Sequence, residues 1–403
     1  MPSRALLRWA AVAAAAATLF QVAVQAAPAA HAKQRPDIVV IVTDDQRWDT
    51  MRYMPLTASW LTTDYPNAFV SNPACCPSRT TILTGTYSQE NGVWTNSPPY
   101  GGWPAFVANG WPGHTIADAL QASGYRTALL GKFLNSWDGT IPPGWDLFAA
   151  HLHAGAFPGT HEAPYYDYTL RVAQNGTVTD QNHGETAADY STTVIEQMAT
   201  DEIRATPPGQ PLFLYFAPPA PHSAGNGRVP IPAPQDVSAP VHLPAPSANV
   251  NEADVSDKPS YIASLPQIAT TTLNHWRREQ ARTLFSEDRA IDDIMRTIAA
   301  TRDLSNTLVL MLGDNGFSDG SHRWMAKGVP YDEVIRVPMR ARFDGVLPVG
   351  EDPRIADNLD LAPTIAQAAG IGFPTATEGE SLLQPSARDH LVIEGGVSTR
   401  HAW

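Results

Sequence analysis

The chain is 403 residues long, 43% hydrophobic, and carries a formal charge of −13. That length and composition supply a large core, in one big domain or one domain with a small appendage. The acidic balance excludes a nucleic-acid binder, which needs a basic footprint, and disfavours a long polyanionic substrate unless a local basic cleft overrides the overall field.

In chain order, Arg4 and Arg8 precede an Ala/Val/Leu run and then small residues suited to a signal peptidase, so residues 1–32 read as a removed export signal. No later apolar stretch is long enough to span a bilayer, and no stable membrane association is expected. "DIVVIVTDD" is a continuous apolar run of the kind buried on both faces of a parallel sheet, and it ends in Asp44 and Asp45. "SNPACCPSRTTILTG" holds both cysteines of the chain, Cys75 and Cys76. Neighbouring thiols cannot staple distant segments and a vicinal disulfide is strained, so the pair is either incidental or chemical. Pro77 at a first helical position and Gly85 at the stop predict a short helix with Cys75 at its N-terminus. Backbone N–H groups there favour an anion or a lowered thiol pKa, which makes Cys75 a candidate nucleophile.

Residues 98–113 read as loop, dense in Pro, Gly, Ser and Trp, and 113–124 as a helix stopped by glycine. "YRTALLGK" is a strand ending at Lys132; helical spacing follows at 185–205; "PLFLYFAPPAPH" is a strand run finishing at His222. Residues 223–260 read as a long loop, either cleft rim or surface padding. A helix at 275–303 and the run "TLVLMLGDN", ending at Asp314 and Asn315, complete the pattern. Strands alternating with helices imply an α/β fold with a mostly parallel sheet, in which ligands bind at the carboxyl ends of strands. The four polar endings would then meet in one cleft.

Asp44, Asp45, Asp314 and Asn315 are oxygen donors, with no His or Cys at metal-ligand spacing, a set that selects calcium or magnesium over zinc. Helix capping or a solvated turn accounts for Asp-Asp equally well. Arg79, Lys132, His222 and Lys327 are cations, or potential cations, for an anionic substrate; singly, each is more often a surface or capping residue.

"CCPSRTTILTG" closely resembles the signature of the sulfatase family, Cys-x-Pro-Ser-Arg followed by an apolar pair and Thr-Gly, with Cys75 in first position. "IVVIVTDDQ", "GYRTALLGKFLN", "LYFAPPAPH", "NTLVLMLGDNG" through Lys327, and "LDLAPTIAQAAGI" resemble the remaining family segments in order and spacing over roughly residues 36–385. "GKFLN" and "NEADVSDKPSYI" are most similar to the branch holding glucosamine-6-sulfatases and extracellular heparan endosulfatases. The resemblance implies an alkaline-phosphatase-like α/β fold, export, and oxidation of Cys75 to Cα-formylglycine by a formylglycine-generating enzyme. It implies Ca²⁺, in preference to Mg²⁺, on Asp44, Asp45, Asp314, Asn315 and an oxygen of modified Cys75. By the same resemblance Arg79, with the ion, would favour the ionised hydrate, Lys132 and Lys327 would neutralise charge on the sulfonyl oxygens, and His222 would protonate the leaving oxygen of a sugar or small sulfate ester or hold a sulfate oxygen.

Two positions depart from the family pattern. Leu134 stands where many members carry a second histidine, leaving Asn135 or His322 as substrate-binding candidates. The sequence also stops soon after residue 385, so 386–403 is expected to be the remnant of a reduced or truncated C-terminal subdomain. The alternatives are a formylglycine-dependent phosphoesterase or phosphonate monoester hydrolase, a non-catalytic binding protein on the same fold, and a thiol enzyme using unmodified Cys75 with His222 as base.

Overall fold

Asp37–Thr43 has no polar interruption after its first residue, and all seven residues are buried, as a strand covered on both faces requires. In the computed structural model, which describes residues 34–152, 165–225, 227–373 and 375–395, this strand lies within a ten-stranded sheet. The export signal read at 1–32 lies outside the described residues. In chain order the strands are β1 (Asp37–Thr43), β2 (Thr63–Asp64), β3 (Asn67–Phe69), β4 (Arg126–Gly131), β5 (Leu147–His151) and β6 (Tyr168–Gln174). There follow β7 (Thr177–His183), β8 (Leu212–Ala217), β9 (Thr307–Gly313), β10 (Met339–Arg342), β11 (Gly350–Glu351) and β12 (Ile355–Asp357).

Strand order is β11-β2-β10-β9-β1-β8-β4-β5-β6-β7, with β3 and β12 paired in a separate small sheet. β9, β1, β8, β4 and β5 are mutually parallel, while β10 on one side and β6 on the other run antiparallel. The expected parallel sheet is therefore the centre of the molecule, bordered by antiparallel strands.

Alternation along β1 assigns its side chains to two layers. Ile38, Val40 and Val42 pack with Ile82, Leu83, Leu120 and Ile365, on the helices Cys75–Thr84, Ile116–Ala122 and Leu361–Ala369. Val39 and Ile41 pack with Ile195, Ile203, Ile291 and Ile294, on the helices Ser191–Ala205 and Thr270–Thr301.

The predicted helices occur with shifted ends. The one read at 113–124 is Ile116–Ala122, started by a capping box between Thr115 and Asp118. That read at 275–303 begins five residues earlier, at Thr270. The loop read at 98–113 is overturned in part, because Gly102–Ala108 is helical. Trp103 and Phe106 anchor it, stacked at 5.6 Å and buried, an apolar drive that the surrounding Gly and Pro obscured. The loop read at 223–260 has no helix or strand among its described residues up to 259, and a short helix, Ser260–Ala263, begins at its last residue.

Residues 386–395 also lack regular structure. They are tied down by Arg388, which donates to both oxygens of Asp360 at 2.7 and 2.6 Å, and by the Glu394 carboxylate, which accepts from Ser88 N and Gln89 N at 2.6 and 3.0 Å.

At the amino edge of the sheet, Asp37 opens β1 and receives a two-pronged contact from Arg302, just past the long helix, at 2.5 and 2.7 Å. It also accepts from Leu212 N of β8 at 2.8 Å. Arg302→Met leaves this largely buried carboxylate without its cation and is expected to cost about 3 kcal/mol. A urea titration of the variant against the parent measures it, and an unchanged midpoint refutes it.

Candidate active site

The helix Cys75–Thr84 is buried at all ten positions. It starts at Cys75, two residues before the proline that was expected to open it. Ala74 is extended at φ −142°, ψ 147° and forms the cap, and proline inside a first turn forfeits no helical hydrogen bond. Gly85 ends the helix at φ 67°, a conformation that favours glycine, and a Cβ there would stand 2.8 Å from Thr377 Cγ2. Asn358, which sequence reasoning missed, ties the helix to its approach: it accepts from Ser71 N at 3.1 Å and donates to Ser78 Oγ at 2.9 Å.

The two cysteines diverge. Cys76 N donates to Asn96 Oδ1 at 2.8 Å and its side chain joins the hydrophobic core. Cys75 Sγ takes a hydrogen bond from Lys327 Nζ at 2.6 Å and lies 3.7 Å from Asp44 Oδ1.

Because β9, β1, β8 and β4 are adjacent and parallel, their carboxyl ends line one edge. β1 delivers Asp44 and Asp45, β9 delivers Asp314 and Asn315, and β4 delivers Lys132, each directly at a strand end. His222 lies five residues beyond Ala217, the end of β8. Lys132 Nζ bonds Asp44 and Lys327 Nζ bonds Asp45. Arg79 Nε donates to Asp314 Oδ2 at 2.8 Å, and Asp45 N donates to Asp314 Oδ1 at 3.1 Å. Asn315 Nδ2 donates to Asp45 Oδ1 at 2.7 Å, and His222 Nε2 lies 3.5 Å from Asp45 Oδ2. One ligand atom each of Asp44, Asp45, Cys75 and His222 falls within a mutual 4.8 Å. Within this cluster Arg79 Nη2, which lies 4.0 Å from Asp44 Oδ2, and Asn315 Oδ1 are buried without a hydrogen-bond partner among the described residues, the first a donor suited to an anion and the second an acceptor suited to a cation.

Neighbouring cations keep Asp44 and Asp45 ionised against their burial. Burial opposes the Asp44 carboxylate, yet Lys132, His222 and Arg79 hold it down at about 2. Burial likewise works against charged Lys132, and Asp44 outweighs it, so the ammonium is stabilised. The expected lowering of the Cys75 thiol pKa is overturned. Burial of the sulfur dominates over Lys132 and Lys327 and pushes the thiol up to about 12, where it is neutral and weakly nucleophilic near pH 7.

The two substrate-binding candidates part company. The carbonyl of Asn135 accepts from Trp103 N at 2.8 Å, while its buried Oδ1 lacks a partner among the described residues. His322 instead joins a surface network: Nδ1 lies 2.6 Å from Glu252 Oε2, the ring centroid is 4.3 Å from that of Tyr331, and the backbone N–H of His322 donates to Asn249 O at 2.8 Å. Gly328 N donates to Pro73 O at 3.1 Å, coupling the segment that carries Lys327 to the loop before Cys75.

Fold and site together define an α/β protein whose parallel strand ends gather acidic oxygens and three buried or half-buried cations around one helix-terminal residue. The family model described as Sulfatase matches residues 36–371, and the chain belongs to that family. It is 32% identical to an arylsulfatase of Chlamydomonas reinhardtii, over 90% of this chain and 60% of that protein. It is 28% identical to an N-acetylglucosamine-6-sulfatase of Homo sapiens, over 87% and 64% respectively. The chain thus spans under two thirds of the length of these relatives. A solved structure of a protein with its substrate D-glucosamine-2-N,6-O-disulfate shares the fold, with TM-score 0.66 and 22% identity over 86% of this chain and 79% of that one.

Burial also pushes Cys76 up to about 12. In unconverted protein at pH 8, both cysteines are expected to react with iodoacetamide at least roughly a thousandfold more slowly than in urea. Peptide mass spectrometry over a labelling time course measures this, and rapid native labelling of Cys75 contradicts the buried, neutral thiol.

Proposed function

We propose that the chain is an exported sulfuric ester hydrolase that cleaves sulfate monoesters of sugars or aryl alcohols, with Cys75 converted to formylglycine. The observation that carries this reading is the juxtaposition of Cys75 with Asp44, Asp45 and His222. A neutral, fully buried thiol beside hard oxygen donors is a poor nucleophile. An aldehyde hydrate in the same place gives those donors and cations a function. Asp44, Asp45, Asp314 and Asn315 fit a calcium ion, since the set is all oxygen and the amide acceptor of Asn315 is unpartnered among the described residues. When bound, calcium supplies positive charge that lowers the pKa of the hydrate hydroxyl.

The chain's own groups then account for the reaction. One hydrate oxygen, its proton lost to solvent water, attacks the ester sulfur in line with the departing oxygen and forms the new sulfur–oxygen bond. Arg79 through Nη2, with Lys132 and Lys327, neutralises charge growing on the sulfonyl oxygens. As the sulfur–oxygen ester bond breaks, His222 Nε2 gives its proton to the leaving alcohol. The remaining hydroxyl of the hydrate passes its proton to the imidazole thus left neutral. The carbonyl reforms, the carbon–oxygen bond to sulfate breaks, and water rehydrates the aldehyde. An ordinary serine or cysteine ester lacks this internal exit.

The names of the relatives support two substrate classes, aryl sulfates and a 6-sulfated glucosamine. Asn135, whose Oδ1 is unpartnered among the described residues, supports a polar contact to the latter.

Co-expression with a formylglycine-generating enzyme tests the reading. The peptide containing Cys75 is expected to show the aldehyde mass, and the protein to turn over 4-nitrophenyl sulfate faster than nitrophenyl phosphates. Cys75→Ala is expected to reduce kcat at least about a thousandfold, while Cys76→Ala retains most of it. Activity removed by chelation should return with Ca²⁺ in preference to Mg²⁺. Only thiol or disulfide at Cys75 in active protein refutes the mechanism, and preferred phosphate turnover refutes the substrate class.

A further inference from the structure

Lys132 and Asp44 are held by the strands they terminate, but His222 follows five residues after β8, beyond the reach of the sheet's hydrogen bonds. Its placement has to come from elsewhere. Asp44 N donates to Ala220 O at 3.0 Å and seats the connecting segment on the end of β1. His222 N donates to Pro219 O at 3.0 Å, a bond internal to that segment. The imidazole Nδ1 lies 2.8 Å from the carbonyl oxygen of Ser223, which can only accept, so Nδ1 carries a hydrogen and Nε2 is the atom left to exchange a proton with a substrate. One further hold comes from a side chain distant in sequence: Tyr165 Oη donates to the carbonyl oxygen of His222 at 2.6 Å.

Tyr165 is built as a fixed donor. Its side chain is 1% exposed. Its ring stacks on Tyr190 with centroids 5.9 Å apart and planes at 26°, and its own carbonyl accepts from Ser191 N, the first residue of a long helix, at 3.0 Å. Tyr190 is anchored in turn, its hydroxyl donating to Ile231 O at 3.0 Å. The phenol therefore has little freedom, and it is aimed at the peptide unit that carries the imidazole.

On the reading of His222 as general acid, we infer that Tyr165 is a positioning residue, holding the backbone of His222 so that Nε2 meets the leaving oxygen. A buried tyrosine hydroxyl that merely satisfies a carbonyl would influence stability alone. A positioning role has a different signature, because protonation matters most when the leaving group is a poor one. Removing the hydroxyl should cost little with nitrophenolate and much with a basic alkoxide.

The test uses the matured chain and a series of substituted phenyl sulfates, from 4-nitrophenyl to the more basic phenols, with kcat/KM plotted against leaving-group pKa. Tyr165→Phe keeps the ring and its stacking. It is expected to lower kcat/KM about tenfold for the most basic leaving group and less than about threefold for 4-nitrophenyl sulfate. His222→Ala should steepen the same plot further, and Tyr190→Phe should move all substrates alike. A steep plot for His222→Ala with an unchanged slope for Tyr165→Phe overturns the inference and leaves His222 as the acid. A plot for His222→Ala as flat as that of the parent overturns the assignment of His222 and the inference with it. If Tyr165→Phe does not fold, fluorotyrosine at 165, which alters donor strength while keeping the hydroxyl, takes its place: a slope that follows donor strength supports the inference, and an unchanged slope overturns it.

Discussion

Three buried carboxylates share one edge of the sheet: Asp44 and Asp45 each offer an oxygen within 4.8 Å of the other, Asp314 accepts from Asp45 N at 3.1 Å, and the structure around them answers their repulsion. Bringing like charges out of water is strongly unfavourable unless cations and hydrogen bonds come with them. Arg79, Lys132 and Lys327 supply the cations, one directed at each carboxylate, and the backbone N–H of Asp45 supplies a further donor. These cations come from three different segments: the helix after Cys75, the end of β4 and the loop after β9. A change in the relative placement of any of them leaves a buried charge unpaired. Charge pairing at this edge thus ties together the strand order, the helix start and the loop near Pro73.

The same arrangement separates the roles of the two cysteines. Both sulfurs are buried and both thiols are pushed to about 12, so neither is reactive as a thiol. What distinguishes them is direction. Successive helical positions point about 100° apart, which turns Cys76 into the core while Cys75 meets Lys327 and Asp44. In a site already crowded with charge, a helix terminus contributes too little to overcome the loss of water around the sulfur.

Much of the site was legible in local sequence. Asp44, Asp45, Lys132, Asp314 and Asn315 each end an uninterrupted apolar run, and parallel strands that share a hydrogen-bonded register must share an edge. Cys75, Arg79 and Gly85 lie within one motif of eleven residues. The helix at Gly102–Ala108 was less legible, because two glycines and a proline near its start conceal the apolar spacing of Trp103 and Phe106. Asn358 was not legible at all: the groups it joins are 287 and 280 residues away. Tyr165 reaches His222 across 57 residues, and nothing in "PYYDY" distinguishes the tyrosine whose hydroxyl is committed from its neighbours.

The sequence by itself determined the chemical inventory and the strand-end positions of most of it, because periodicity and chain continuity are local properties. Only the tertiary structure decided the state and orientation of those groups: which carboxylate meets which cation, that the Cys75 thiol is raised by burial, that His322 binds Glu252, and that a distant phenol holds the backbone of His222. Desolvation and long-range hydrogen bonding depend on what packs around a residue, and packing exists only once the chain has folded.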